Sequence, residues 1–102
     1  MYARRVSMNL KPNKVSEFTQ TLEKEIIPTL RKQKGFQDEI TLVAPDGVKV
    51  VAISLWDKAE SATAYNSGTF PEITKMLSKV ADGTPKVETY EVANSTFHKV
   101  HA

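Results

Sequence analysis

Trp56, Tyr65 and Phe70 are the residues of this 102-residue chain best suited by type and spacing to hold a planar organic ligand. Large aromatic faces stack on such a ligand, and the Tyr65 hydroxyl adds a hydrogen-bonding edge. The same residues also suit plain packing, with Trp56 as a core or interface anchor and Tyr65 as a helix residue whose hydroxyl reaches water. Arg5, Ser7, Asn9, Glu39, Thr41, Ser54 and Glu91 are polar residues within strand-like runs. Turned into an apolar cavity, they give the few convergent polar groups of a small-molecule site, Arg5 and Asn9 among them. Turned outward, they are edge positions or an Arg–Glu pair across a sheet. Both orientations stay open at this level.

Other chemistries lack their residues. With no cysteine there is no disulfide framework, thiolate zinc site or cysteine nucleophile. His98 and His101 are the only histidines, and they end the chain with no further ligands near them. A solvated tail and no metal site are expected there. No Ser-His-Asp pattern, phosphate loop or Rossmann glycine run is present, and Asp46-Gly47 and Asp82-Gly83 read as turns. The net charge is +2, with Lys and Arg interspersed among Asp and Glu, which is a solvated surface rather than a nucleic-acid patch. The N-terminus reads directly as a strand, with no apolar signal region and no span of about 20 apolar residues. A single cytoplasmic domain over 1–102 is expected, with no nucleic-acid or membrane partner.

The candidate residues must be positioned by regular elements. Tyr2 to Leu10 alternates as a strand, with Tyr2, Val6, Met8 and Leu10 on one parity and Arg4 as the polar exception. Val15, Phe18, Leu22, Ile26 and Leu30 form one stripe of a long amphipathic helix. Pro28 should kink or break it, and Gly35 should stop it. Phe36 to Ala44 reads as a strand with Phe36, Ile40 and Leu42 on one parity. Pro45-Asp46-Gly47 turns it into Val48–Trp56, giving a hairpin. Asp57 with Glu60 resembles a capping box that starts a second helix carrying Ala62 and Tyr65. That helix is interrupted at Ser67-Gly68 and restarts at Thr69, with Glu72 as its cap partner. Phe70, Ile73, Met76, Leu77 and Val80 continue the stripe. Lys86 to Phe97 reads as the final strand.

The order β-α-β-β-α-β predicts an α+β, ferredoxin-like domain: an antiparallel four-stranded sheet with both helices on one face. The Val48–Trp56 run is apolar on both parities, with Val51, Ile53 and Leu55 on one and Val48, Val50, Ala52 and Trp56 on the other. A strand with one wet face would alternate. A second copy is therefore expected against the face bearing Val48, Val50, Ala52 and Trp56, closing a barrel across a two-fold axis. The bend in the second helix predicts a gap above the sheet, bounded by Trp56, Tyr65 and Phe70.

Three stretches carry a resemblance to a known family. Leu10-Lys11-Pro12-Asn13-Lys14-Val15-Ser16-Glu17-Phe18 looks like a strand-to-helix junction in which KPGK is usual. Ile27-Pro28-Thr29-Leu30, then Gly35-Phe36, looks like a helix end followed by PGF. Leu55-Trp56-Asp57, with Tyr65-Asn66-Ser67 and Phe70, looks like a W-x-S/D strand end and an S-x-x-F helix. In this order they resemble the antibiotic biosynthesis monooxygenase family of the dimeric α+β barrel superfamily, over nearly the whole chain. The family includes cofactor-free oxygenases of polycyclic aromatics, heme-degrading enzymes and members with no known reaction. The heme-degrading residues, an asparagine, a tryptophan and a histidine, would fall on Val6, Tyr65 and Thr74. No heme turnover and no cofactor are therefore implied.

Two functions follow. One is a cofactor-independent monooxygenase-like protein acting on a small aromatic or quinone-like substrate, with Trp56, Tyr65, Phe70, Asn9 and Arg5 as binding residues and no assignable catalytic base. The other is a non-catalytic homodimeric module, ligand-binding or structural. Whether the chain is an enzyme is left open by the residues.

Overall fold

The computed structural model describes residues 1–97. His98 and His101 lie outside them. The elements are β1 (Tyr2–Leu10), α1 (Val15–Thr21), a π-helical segment (Leu22–Ile26), α2 (Ile27–Arg31), β2 (Phe36–Val43), β3 (Lys49–Trp56), α3 (Ala59–Gly68), α4 (Phe70–Leu77) and β4 (Ala81–Glu91). One antiparallel sheet has the order β2-β3-β1-β4. This is the expected ferredoxin-like α+β arrangement. Among the described residues, no helix is long and apolar enough to cross a membrane.

The first helix keeps its stripe, with Phe18, Ile26 and Leu30 buried. Pro28 neither breaks it nor leaves it regular. Proline has no N–H to bond Lys24, and its ring crowds that carbonyl. The chain passes it by widening into the π-helical turns just before it. Asn13 has φ 61°, the left-handed conformation asparagine tolerates best after glycine. That is the physical reason glycine is usual at the same place in the junction it resembles. Gly35, with φ +83°, carries the chain from α2 into β2, and its carbonyl accepts the Asp57 N–H at 2.8 Å.

Four expectations are corrected. The apolar parity Val50, Ala52 and Trp56 faces the helices, not a second copy: Val50 and Trp56 are 2% and 0% exposed within one protomer. Val48 lies just before β3 and is exposed. The face turned away from the helices carries Val51, Ile53 and Leu55, with Ile40 and Leu42 beside them on β2; Val92, Asn94, Ser95 and Phe97, after β4, line a pocket there with Ile40, Ile53 and Leu55. Second, the register between β2 and β3 shifts between Phe36 and Asp38. One extra residue reverses the alternation, so Phe36 points toward the helices while Ile40 and Leu42 point away. Third, β4 begins at Ala81 and ends at Glu91. Asp82-Gly83 is therefore an irregular start of an edge strand rather than a turn. Gly83 has φ +90°, the register against β1 shifts there, and Pro85 is tolerated because the strand is at an edge. Fourth, neither expected side-chain cap forms: Lys58 and Thr69 occupy the cap positions without a capping side-chain bond. The Thr69 hydroxyl instead donates to Gln33 Oε1 at 3.3 Å. The break falls between Gly68 and Phe70, where Pro71 in the first turn of α4 stops backward continuation of the helix.

Candidate functional site

One rung of the sheet differs from its neighbours. Cross-strand pairing places Glu39 on β2, Ser54 on β3, Arg4 on β1 and Thr89 on β4 side by side. All share the parity that faces the helices. The next rung on that face is Thr41, Ala52, Val6 and Val87, and the rung on the other side contains Phe36, Trp56 and Tyr2. A polar row thus crosses a largely apolar face.

Arg4 is its centre. The residue is 3% exposed. Its Nη2 donates to Asn66 Oδ1 on α3 at 2.8 Å. Its guanidinium lies 4.0 Å from the centroid of the Phe70 ring and 5.1 Å from that of Tyr65, a cation held against two π faces. No carboxylate among the described residues forms an ion pair with it, and its Nε is buried with no hydrogen-bond partner. Burial lowers the Arg4 pKa, partly offset by the nearby Tyr65, yet a guanidinium stays charged in any protein environment.

Above this row, between the sheet and both helical arms, lies a cavity of about 60 Å³. Arg4, Glu39, Ser54, Tyr65 and Phe70 line it, together with aliphatic side chains of β1, the first helix and α4. Burial pushes the Tyr65 hydroxyl up to about 12, Arg4 pulling it down and Glu39 adding to the rise. Tyr65 is thus a neutral donor at physiological pH. Burial also raises the Glu39 carboxyl, against a lowering by the Thr41 hydroxyl, which donates to Glu39 Oε2 at 2.6 Å. Glu39 is thus a cavity-lining carboxyl whose pKa burial moves upward, the direction that suits a proton acceptor.

The structure brings Trp56, Tyr65 and Phe70 into one stack: Trp56–Tyr65 at 5.1 Å and Tyr65–Phe70 at 6.1 Å between ring centroids. Trp56 does not line the cavity. It lies beneath Tyr65, edge-on to Phe36 at 5.6 Å, and its indole N–H donates to Ser54 Oγ at 2.8 Å. Arg5 and Asn9 are on the opposite face of β1. Arg5 reaches Glu88 Oε1 at 2.6 Å, directly across from it on β4, which is the cross-strand pair considered from sequence. Asn9 is exposed, beside Asp82 of β4. Sequence reasoning missed Arg4 as a site residue. Its signal was present, as the one polar residue on the apolar parity of β1. Thr74, at the position of the heme-degrading histidine, donates its hydroxyl to Phe70 O at 3.1 Å and offers no nitrogen to an iron.

A pH dependence follows from Glu39. Its folded-state pKa is raised, so the folded state holds that proton more tightly than the unfolded chain does. Stability contributed here is therefore lost as pH rises from the unfolded value of about 4.3 through the raised folded value. Glu39→Gln should melt higher than the wild type at pH 7, and the gap should close as pH falls below about 4. Thermal melts across this range check it; a gap that widens on acidification contradicts it.

No protein-family model and no curated protein matches the sequence. Solved structures do match. A protein from Nitrosomonas europaea, provisionally named an antibiotic biosynthesis monooxygenase, superposes with a TM-score of 0.75 at 16% identity, covering 92% of this chain and 100% of that one. The fold is that of the antibiotic biosynthesis monooxygenases. A monooxygenase from Streptomyces coelicolor, solved with the ligand nanaomycin D, shares this monooxygenase-like fold at a TM-score of 0.76 and 18% identity, covering 96% and 92% of the two chains. A cofactor-independent oxygenase from Streptomyces nogalater does so at 0.71 and 16%, covering 93% and 96%. At these identities the likeness is one of fold.

Proposed function

We propose that this chain is a cofactor-independent monooxygenase-like protein that takes a small aromatic or quinone-like substrate into the cavity between the sheet and the helices. The observation that carries the reading is the cavity wall: three aromatic rings, Phe18, Tyr65 and Phe70, with the Arg4 cation, the Glu39 carboxyl whose pKa is raised and the Ser54 hydroxyl on a largely apolar surface. A dry site with an orienting donor and a proton acceptor is what such chemistry asks of a protein. An activated substrate CH₂ gives one proton to a base, and the electron pair left on carbon reduces dioxygen. One oxygen atom stays on that carbon as a carbonyl, and the other leaves as water with the two substrate hydrogens. Glu39 would accept the proton, and Tyr65 would donate to the substrate oxygen. The names of the solved neighbours support the reading.

Titration with a monocyclic hydroquinone should change Trp56 fluorescence saturably, because Tyr65 couples that indole to the cavity. Tyr65→Phe should weaken binding by about fivefold or more, the equivalent of one hydrogen bond. Oxygen consumption without added metal or cofactor then tests turnover. A flat titration rejects the site.

The size of the cavity favours a second reading. At about 60 Å³ it falls short of the roughly 300–1,000 Å³ usual for organic ligands. In this reading the chain is a binding or structural module without turnover, and saturable binding without oxygen uptake is its signature.

The sheet face turned away from the helices also belongs to the proposal. Ile40, Leu42 and Tyr90 are 48%, 49% and 50% exposed, flanking half-buried Val51, Ile53 and Leu55. The Arg5–Glu88 pair sits beside Ile53 on the same face, and exposed apolar side chains around such a pair suit a second copy, so a homodimer is expected through this face. Ile53→Lys should move the light-scattering mass from dimer to monomer with the fold retained by circular dichroism. Val50→Lys should unfold the protein instead, since it puts a charge in the core. A wild-type monomer at micromolar concentration refutes the dimer.

A further inference from the structure

Arg4 is a buried cation whose environment is unfinished. Its guanidinium has one hydrogen bond to a neutral amide, two ring faces, and an Nε that bonds nothing. Burying a charge without an ionic partner is costly, and proteins normally supply one. Here the sheet could have done so, because the same rung carries Glu39. Two strand spacings separate them, about 10 Å between backbones, with Ser54 between. The Glu39 carboxyl is turned instead to Thr41. Ser54 is occupied as well, accepting from Trp56 and donating to the Arg4 carbonyl at 3.5 Å. The cavity opens between these groups, and Arg4 faces it.

Resting on the cavity reading above, we infer that the ligand is a small planar anion, a ring bearing an ionised oxygen, whose charge completes Arg4. The edge of a guanidinium presents Nε and an Nη as a fork that matches an oxyanion. Phe70 and Tyr65 already flank the guanidinium on two sides, their rings tilted 50° to one another, so a ring entering beside them meets aromatic surface. Two kinds of ligand share this chemistry, a phenolate and an aromatic carboxylate. A phenol can enter neutral and pass its proton to Glu39. A carboxylate arrives already charged, and Glu39 must then take a proton from solvent to avoid a like charge across the cavity.

Calorimetry on the wild-type protein separates these cases. The probes are 4-nitrophenol and its methyl ether 4-nitroanisole, and benzoate and benzamide. Each pair keeps the ring and replaces the ionisable group by a neutral one. The acidic member should bind about 10- to 100-fold more tightly in at least one pair, as a charge-assisted bond predicts, and that pair identifies the ligand kind. For 4-nitrophenol, the bound absorption band should be that of the phenolate. For benzoate, heats measured in buffers of different ionisation enthalpy should report proton uptake. Arg4→Gln should bring the ratio of acid to neutral-isostere affinity to about one, whatever it does to the affinity of both, and Arg4→Lys should restore the ratio only in part, having charge without the fork. If Arg4→Gln does not fold, the comparison of isosteres on the wild type still decides. Equal binding of acid and neutral isostere overturns the anion inference and leaves the aromatic pocket standing. Failure of all four probes to bind overturns both.

Discussion

Trp56→Ala is expected to cost about 3–5 kcal/mol of folding stability, the range for deleting a fully buried large aromatic. The residue has no exposed surface. It stacks on Tyr65 and meets Phe36 edge-on, and its N–H satisfies Ser54. Removing it leaves a void under the very ring that walls the cavity and frees a buried hydroxyl acceptor. Trp56→Phe keeps most of the packing and loses the hydrogen bond, so its cost should be smaller, about 1–2 kcal/mol. Urea unfolding of the three proteins with equal m-values checks both figures. A loss below about 1 kcal/mol for the alanine variant would mean that the indole is not a core element. This result also sets how Trp56 is used in binding experiments, as a reporter one ring removed from the ligand rather than as a contact.

Gly35→Ala is the second large effect. The backbone there has φ +83°, which costs an L-residue about 1–2 kcal/mol. A Cβ at this position would also stand 2.6 Å from Ser61 Cβ and collide with the Asp57 carboxylate and the Ser61 hydroxyl. Those two groups are bonded to each other, and the bond holds the Asp57 pKa below its ordinary value. They sit at the start of α3, so the clash cannot be relieved without moving the helix that carries Tyr65 and Asn66. Overpacking of this sort adds about 1–3 kcal/mol. Gly83→Ala is the control: φ is +90°, but its Cβ meets nothing within 4 Å, so only the backbone cost applies. The difference between the two variants in chemical denaturation isolates the close approach. Equal costs would show that α3 yields to Gly35→Ala.

Much of this molecule could be read in its residues. The order of elements, the buried stripe of Phe18, Ile26 and Leu30, and the break in the second helix follow from periodicity, proline and glycine, which act within a few residues along the chain. Arg4 was legible too, as a charge set among Tyr2, Val6, Met8 and Leu10. Alternation sorts a strand into two sets of side chains without saying which set the helices cover. In β3 both sets are apolar, so the face bearing Val50 and Trp56 could be told from the face bearing Ile53 only by the packing of the helices. In β2 one extra residue after Phe36 reverses the alternation, a change that exists only relative to the paired strand. The polar row of Glu39, Ser54 and Arg4 has the same origin. Its members are far apart in sequence and become neighbours only through the registers of three strands, which also turn Arg5 away to Glu88 and leave Arg4 buried with no ionic partner among the described residues.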